Sequence, residues 1–276
     1  MLGLGNAIHD WIKSLPIFTK YWFGGTVLFT LLGRFSILYP HWLILTWDTF
    51  ISRFHIWRPV TGLLYYPINP WTGFHFLVML YYLYNYSLRL ETGLFDGRPA
   101  DYMFMLIFNW LLVVVLALFL QFWHLASMTQ FLLNMHLASL NIETFPEALM
   151  EPMVMSVIYV WCQINKDTIV NFWFGTQFKA MYLPWVLFGI ALIIEFKGLG
   201  ELCGILIGHI YFFLMFKYPQ DFGGPSLLST PNILYSCFPN KWGSGVVGYG
   251  QAPARAPQQG GGPWGGRGQR LGYRRH

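Results

Sequence analysis

Between Tyr102 and Trp123 the chain runs YMFMLIFNWLLVVVLALFLQFW without one Asp, Glu, Lys or Arg. About 20 such residues form a helix long enough to cross the ~30 Å hydrocarbon core of a bilayer. A helix that is apolar on every side has no face to give to water, so this stretch constrains everything around it. Residues 200–218, GELCGILIGHIYFFLMFKY, make a second candidate of the same kind. There Gly204 and Gly208 stand four apart, on one helix face, where small residues let a neighbouring helix approach closely. Glu201 and His209 lie beside them, and an ionisable group inside a span is a functional-site candidate by default.

Composition agrees. The chain is 55% hydrophobic, 20% aromatic and 11% charged, against about 25% charged in soluble domains. An all-α polytopic membrane protein is expected, with six spans at residues 20–38, 73–88, 102–123, 153–164, 178–196 and 200–218. The second and fourth are short for a bilayer. No cleavable leader is recognised at the N-terminus. Residues 6–15 instead alternate apolar and polar as a short amphipathic helix lying in the interface, which Pro16 ends.

Two connections are unusual. Residues 39–72 carry four tryptophans and four prolines. That is too broken for a span and too apolar for an ordinary loop, so short helices embedded under protein cover are expected. Trp57-Arg58-Pro59 lies within it; Arg58 either snorkels to headgroups or binds backbone carbonyls of the loop. Residues 124–151 lack Lys and Arg, and Met128, Leu132, Met135, Ser139 and Ile142 recur at helical spacing, which predicts an interfacial amphipathic helix.

Lys13, Lys20, Arg89, Arg98, Lys166, Lys179, Lys217 and the basic residues of the C-terminal tail fall on one side when both termini are cytosolic. The opposite side holds Arg34, Arg53, Arg58 and Lys197, as the positive-inside rule requires. From Pro219 onward Gly, Pro, Gln and Arg dominate, and a disordered cytosolic tail, residues 219–276, is expected.

Chemistry is hard to place. The G-x-S at Gly224-Pro225-Ser226 lies outside the spans, Ser156 has no neighbouring glycine, and His209 has no visible nucleophile to activate. No two aspartates sit within spans, HExxH is absent, and Cys162, Cys203 and Cys237 have no metal-ligand spacing. Neither a metal nor a cofactor is expected. In the tail, Trp264 and Leu271 stand as apolar anchors among glycines; an extended partner-binding segment and a low-complexity Gly–Arg tail for acidic surfaces or RNA remain open on composition alone.

The segments YWFGGTVLF, RFHIWRPVTG, RLETGLFDGRPADYMFM, NFWFGTQFKAMYLPWV and LIGHIYFFLMFKYP, in that order, resemble the derlin family, rhomboid-fold pseudoproteases of the endoplasmic reticulum. The resemblance covers nearly the whole chain and implies a six-helix rhomboid-like bundle with an embedded first loop. It equates Trp57-Arg58 with the loop's Trp-Arg motif and Gly204 and Gly208 with the paired glycines of the sixth helix. Glu201 then occupies the place of the catalytic histidine, with His209 about 12 Å further along, and the G-x-S of the fourth span is missing.

The tail resembles the box F-x-G-x-G-Q-x-L, with Trp264 for Phe and Gly266, Gly268, Gln269 and Leu271 in place; this implies recruitment of the valosin-containing AAA ATPase and not of nucleic acid. The family further implies a non-enzymatic role in degrading misfolded lumenal and membrane proteins. It also implies a ubiquitin-ligase complex, homo- or hetero-oligomers, and residence in the endoplasmic reticulum membrane. The alternatives are a small-solute channel or transporter and an active rhomboid protease. About two dozen residues around 125–146 are an addition to the family's pattern, on the lumenal side. The domains expected are an interfacial helix at 1–16, a membrane domain at 17–218, and the tail with its motif at 264–272.

Overall fold

The computed structural model describes residues 2–70, 72–133, 148–172, 175–194, 198–222 and 227–240. The chain is mostly helical.

α1 (Leu2–Ser14) ends before Pro16, and α2 (Ile17–Arg34) starts directly after it. Pro16 stands at the α2 N-cap, so the span expected from residue 20 begins three residues earlier. It also closes early, at Arg34, where Ser36 turns the chain with a positive φ of 57°. The loop holds the short helices α3 (Pro40–Leu43), α4 (Trp47–Ile51) and α5 (Arg58–Leu64). Proline stands in the first turn of α3 and α5, where its missing N–H costs nothing.

α6 (Gly73–Arg89) runs into a π-helical turn, Leu90–Leu94. α7 (Pro99–Leu133) is one continuous 35-residue helix. This corrects the expectation of a separate interfacial helix from residue 124: the first ten residues of that segment extend α7, and residues 134–147 lie outside the described part. α8 (Met150–Ile164) follows.

The fifth expected span is shortened. At its start β2 (Gln177–Lys179) pairs antiparallel with the preceding β1 (Ile169–Asn171) as the arms of a hairpin, with Val170 opposite Phe178. A 3₁₀ turn leads into α9 (Leu183–Ile194). α10 (Leu199–Phe212) passes through a π turn, Phe213–Lys217, into α11 (Tyr218–Phe222). α12 (Asn232–Cys237) then docks on α7.

Among the described residues, two helical stretches are long and apolar enough to cross a membrane: Pro99–Trp123, mean hydropathy 2.8, and Leu199–Phe222, mean hydropathy 1.8. α8 is the centre of the packing, against α10, α6, α7 and α9, and nearly all its side chains from Met150 to Cys162 are buried. The outward faces of α6 and α9 expose Phe74, Leu77, Tyr81, Trp185 and Ile193, as lipid-facing helices do.

Candidate functional site

The aromatic loop is held by contacts within it and from the helices around it. Arg58, 4% exposed, donates from a terminal guanidinium nitrogen to Ile44 O at 2.8 Å and from Nε to His55 Nδ1 at 3.1 Å. Of its two sequence-based readings, the structure takes the backbone-binding one. Trp57 is half exposed and stacks on His55 with ring centroids 4.6 Å apart. Trp110 of α7 donates to Pro59 O at 2.9 Å.

Gln121, also on α7, makes a double contact. Its Oε1 accepts from Trp47 N at 2.7 Å and its Nε2 donates to Leu45 O at 3.1 Å. Sequence reasoning passed over this residue; its signal was a lone amide in an apolar run, where each polar group needs a partner.

Gly204 and Gly208 come together on one seam against α8. A Cβ at Gly204 would stand 2.5 Å from Pro152 O and 2.6 Å from Met155 Cβ; one at Gly208 would stand 2.7 Å from Ser156 O and 2.8 Å from Tyr159 Cβ. Only hydrogen fits at either place.

This contact brings Ser156 near α10, but its hydroxyl donates to Met153 O of its own helix at 2.8 Å. His209 pairs instead with Tyr159, Nδ1 to OH at 2.8 Å. The serine and the histidine thus spend these hydrogen bonds elsewhere.

Glu201, in the first turn of α10, is buried. It is 2% exposed, with its carboxylate 3.8 Å from Nε2 of His75, at the start of α6. Across the same ring Nδ1 meets Tyr66 OH at 2.9 Å and Glu151 at 3.7 Å. Three helix N-termini and the loop supply these groups, so no local pattern announces them.

At the other end of α6 the RLETGLFDGRPADY turn serves both ends of the domain. Glu91 accepts from the backbone N–H groups of Phe18 and Thr19 and from the Thr19 hydroxyl. Ser87 links Thr19 Oγ1 to Tyr102 OH, each contact 2.7 Å. Asp101, buried at the start of α7, accepts from Thr230 at 2.7 Å and Tyr235 at 2.9 Å. Burial, together with the bond to Asp101, holds the Tyr235 phenol above its usual range. Within the tail expected to be disordered from Pro219, α11 runs to Phe222 and residues 227–240 pack on the helices, while residues 241–276 lie outside the described part. Trp264, Gly266, Gly268, Gln269 and Leu271 lie outside the described residues.

Two cavities open between α6 and α9. One, of about 300 Å³, lies at the Arg89 end beside β1. A smaller apolar one, about 50 Å³, reaches toward His75 and Glu201.

The sequence pattern of the Der1-like family matches residues 15–232, from the start of α2 to the start of α12. The chain is similar to Derlin-1 of Homo sapiens, 48% identical over 97% of this chain and 99% of that protein. Derlin-1 of Caenorhabditis elegans is 44% identical over 96% of this chain and 98% of its own length. Derlin-1 of Drosophila melanogaster is 40% identical over 95% and 97%.

Proposed function

Since this chain belongs to the Der1-like family, we propose that it is a non-proteolytic component of endoplasmic-reticulum-associated degradation, one that helps misfolded lumenal and membrane proteins reach the cytosol. Family membership supports the setting, an endoplasmic reticulum membrane with both termini cytosolic. α2, α6, α7, α8, α9 and α10 are the six helices of a rhomboid-like bundle, with α3 to α5 as its embedded loop.

One observation carries the mechanism. α6 and α8, with 17 and 15 residues, are about 25 and 22 Å long, short of a ~30 Å hydrocarbon core. A bundle with short helices at its centre thins the surrounding bilayer. That lowers the cost of drawing polar chain through it. The Gly204–Gly208 seam keeps α8 and α10 locked while this happens. The loop, tied through Arg58 and Gln121 and exposing Trp57, meets substrate. Ser156 and His209 hydrogen-bond to other partners, which supports a fold that survives without protease chemistry.

The segment with Trp264, Gly266, Gly268, Gln269 and Leu271 recruits the valosin-containing AAA ATPase, which extracts the substrate; a ubiquitin-ligase complex and further derlin subunits complete the assembly. Immunoprecipitation from intact membranes, with and without residues 263–272, tests this reading. The ATPase is expected with the full chain and absent after the deletion. Equal recovery from both would overturn the tail assignment, and cleavage of a model membrane substrate by the purified chain would overturn the non-proteolytic one.

A further inference from the structure

The larger cavity between α6 and α9 has one charged group in its lining, Arg89. Its guanidinium lies 5.1 Å from the ring of Trp161 and 5.6 Å from that of Tyr86, so aromatic faces fix its plane. Arg89 shows neither a hydrogen bond nor an ion pair to any described residue, so the N–H groups along the guanidinium edge are unspent. Lys179 of β2 and Asp167, in the turn before β1, pair with each other at 3.1 Å, which leaves that carboxylate engaged. Tyr81, Tyr82, Asn85 and Asn171 add hydroxyl and amide groups to the same wall. A fixed, unpaired guanidinium with neutral donors around it and no acid in the lining selects a phosphate-type anion.

The second cavity continues the first along α6, and Tyr82 and Phe172 line both. Its walls are apolar: Val78, Met79, Leu187, Ile190 and Ala191 among them. At its far end stands the buried Glu201 carboxylate. A ligand that satisfies both cavities has an anionic head at Arg89 and an apolar body. From Arg89 to His75, fourteen residues up α6, is about 21 Å, against roughly 15 Å for one leaflet's half of the hydrocarbon core. Arg89 closes α6, at the membrane–water boundary, where phospholipid headgroups lie. A volume of about 300 Å³ matches the lower bound of small-ligand sites.

We propose that the α6–α9 groove holds one anionic glycerophospholipid, its phosphate on Arg89, with only the first carbons of an acyl chain entering the small apolar cavity and the rest lying along the exposed apolar face of α6. The inference needs neither the ATPase nor the degradation reading, and it stands or falls separately from both.

Native mass spectrometry of the full chain in detergent tests it, titrated with dioleoyl phosphatidylinositol, with dioleoylglycerol and with inorganic phosphate. Saturable phosphatidylinositol binding is expected, at least tenfold tighter than that of dioleoylglycerol, which has the same chains without phosphate. Arg89→Gln should weaken it at least tenfold. Asn171→Asp places a negative charge in the lining from an exposed strand position, away from the core; it should weaken binding several-fold with the melting temperature unchanged, and it decides the matter if Arg89→Gln fails to fold. Equal binding of dioleoylglycerol would reduce the site to an apolar groove. Displacement of the lipid by inorganic phosphate at equal concentration would assign it to a free anion. Either outcome, or an affinity within twofold in Asn171→Asp, overturns the proposal.

Discussion

Glu91 caps the start of α2 from seventy-two residues beyond Thr19, its Oε2 accepting both the backbone N–H of Thr19 and the Thr19 hydroxyl at 2.8 Å. Oε1 accepts the N–H of Phe18 at 3.0 Å. The first N–H groups of α2 have no partner within the helix, and a carboxylate suits the positive end of its dipole. Glu91→Gln keeps one acceptor oxygen and loses the charge; it should cost about 1–2 kcal/mol, read as a lower melting temperature of the purified protein. Thr19→Val removes the hydroxyl alone and should cost less. An unchanged melt in Glu91→Gln would mean that the cap contributes nothing to stability.

The glycine seam predicts a sharp contrast between helices. Gly204→Ala drives a methyl into Pro152 O and Met155, and overpacking of this kind costs about 1–3 kcal/mol. Gly24 on α2 has nothing within 4 Å of an added Cβ, so Gly24→Ala should be neutral or stabilising by up to ~1 kcal/mol. Thermal unfolding of the two variants side by side checks this. If both melt together, the close approach of α8 and α10 is not what holds the bundle.

Gln121→Leu should release the loop without disturbing α7, which accepts leucine readily. The N–H of Trp47 and the carbonyl of Leu45 lose their side-chain partner. Hydrogen exchange across residues 44–48 should speed at least tenfold, while exchange in α8 stays as it was. Unchanged protection at Trp47 would show that the loop is held by packing alone.

Asp101→Ala removes the acceptor shared by Thr230 and Tyr235. Limited proteolysis between residues 227 and 240 should accelerate several-fold, because cleavage follows the opened population. The melting of the helical core should move little. Core unfolding in step with the cleavage would show that the segment is integral rather than docked.

These features differ in how much of them a reader of the sequence can see. The glycine pair is visible because four-residue spacing fixes a helix face before any partner is known. Spans are visible as long apolar runs, but their ends are set by groups outside them. Phe178 looked like the start of a helix because it adjoins an apolar stretch, and the pairing of Val170 opposite it placed it in a hairpin instead. Glu91 and Asp101 sit in a charge-rich turn, where carboxylates ordinarily face solvent. The contact of His75 with Glu151 and Glu201 joins residues from three helices. Non-local convergence of that kind leaves no periodic trace. Gln121 was readable in principle, since an amide in an apolar run needs a partner, but the partner was a loop backbone no pattern names.

The docking of residues 227–240 has a consequence for the order in which the chain assembles. The bond from Thr230 to Asp101 spans 129 residues of sequence. Once α7 and α10 are inserted side by side, Thr230 stands only eight residues of sequence beyond the end of α11. Loop-closure entropy grows as (3/2)RT ln n, so closing the shorter loop costs about 2 kcal/mol less. Docking of residues 227–240 is therefore the natural last step in closing the helical domain. It fastens a corner where Phe238 meets Phe18, rings 5.1 Å apart, so that a segment made after all the spans comes to rest against the start of α2.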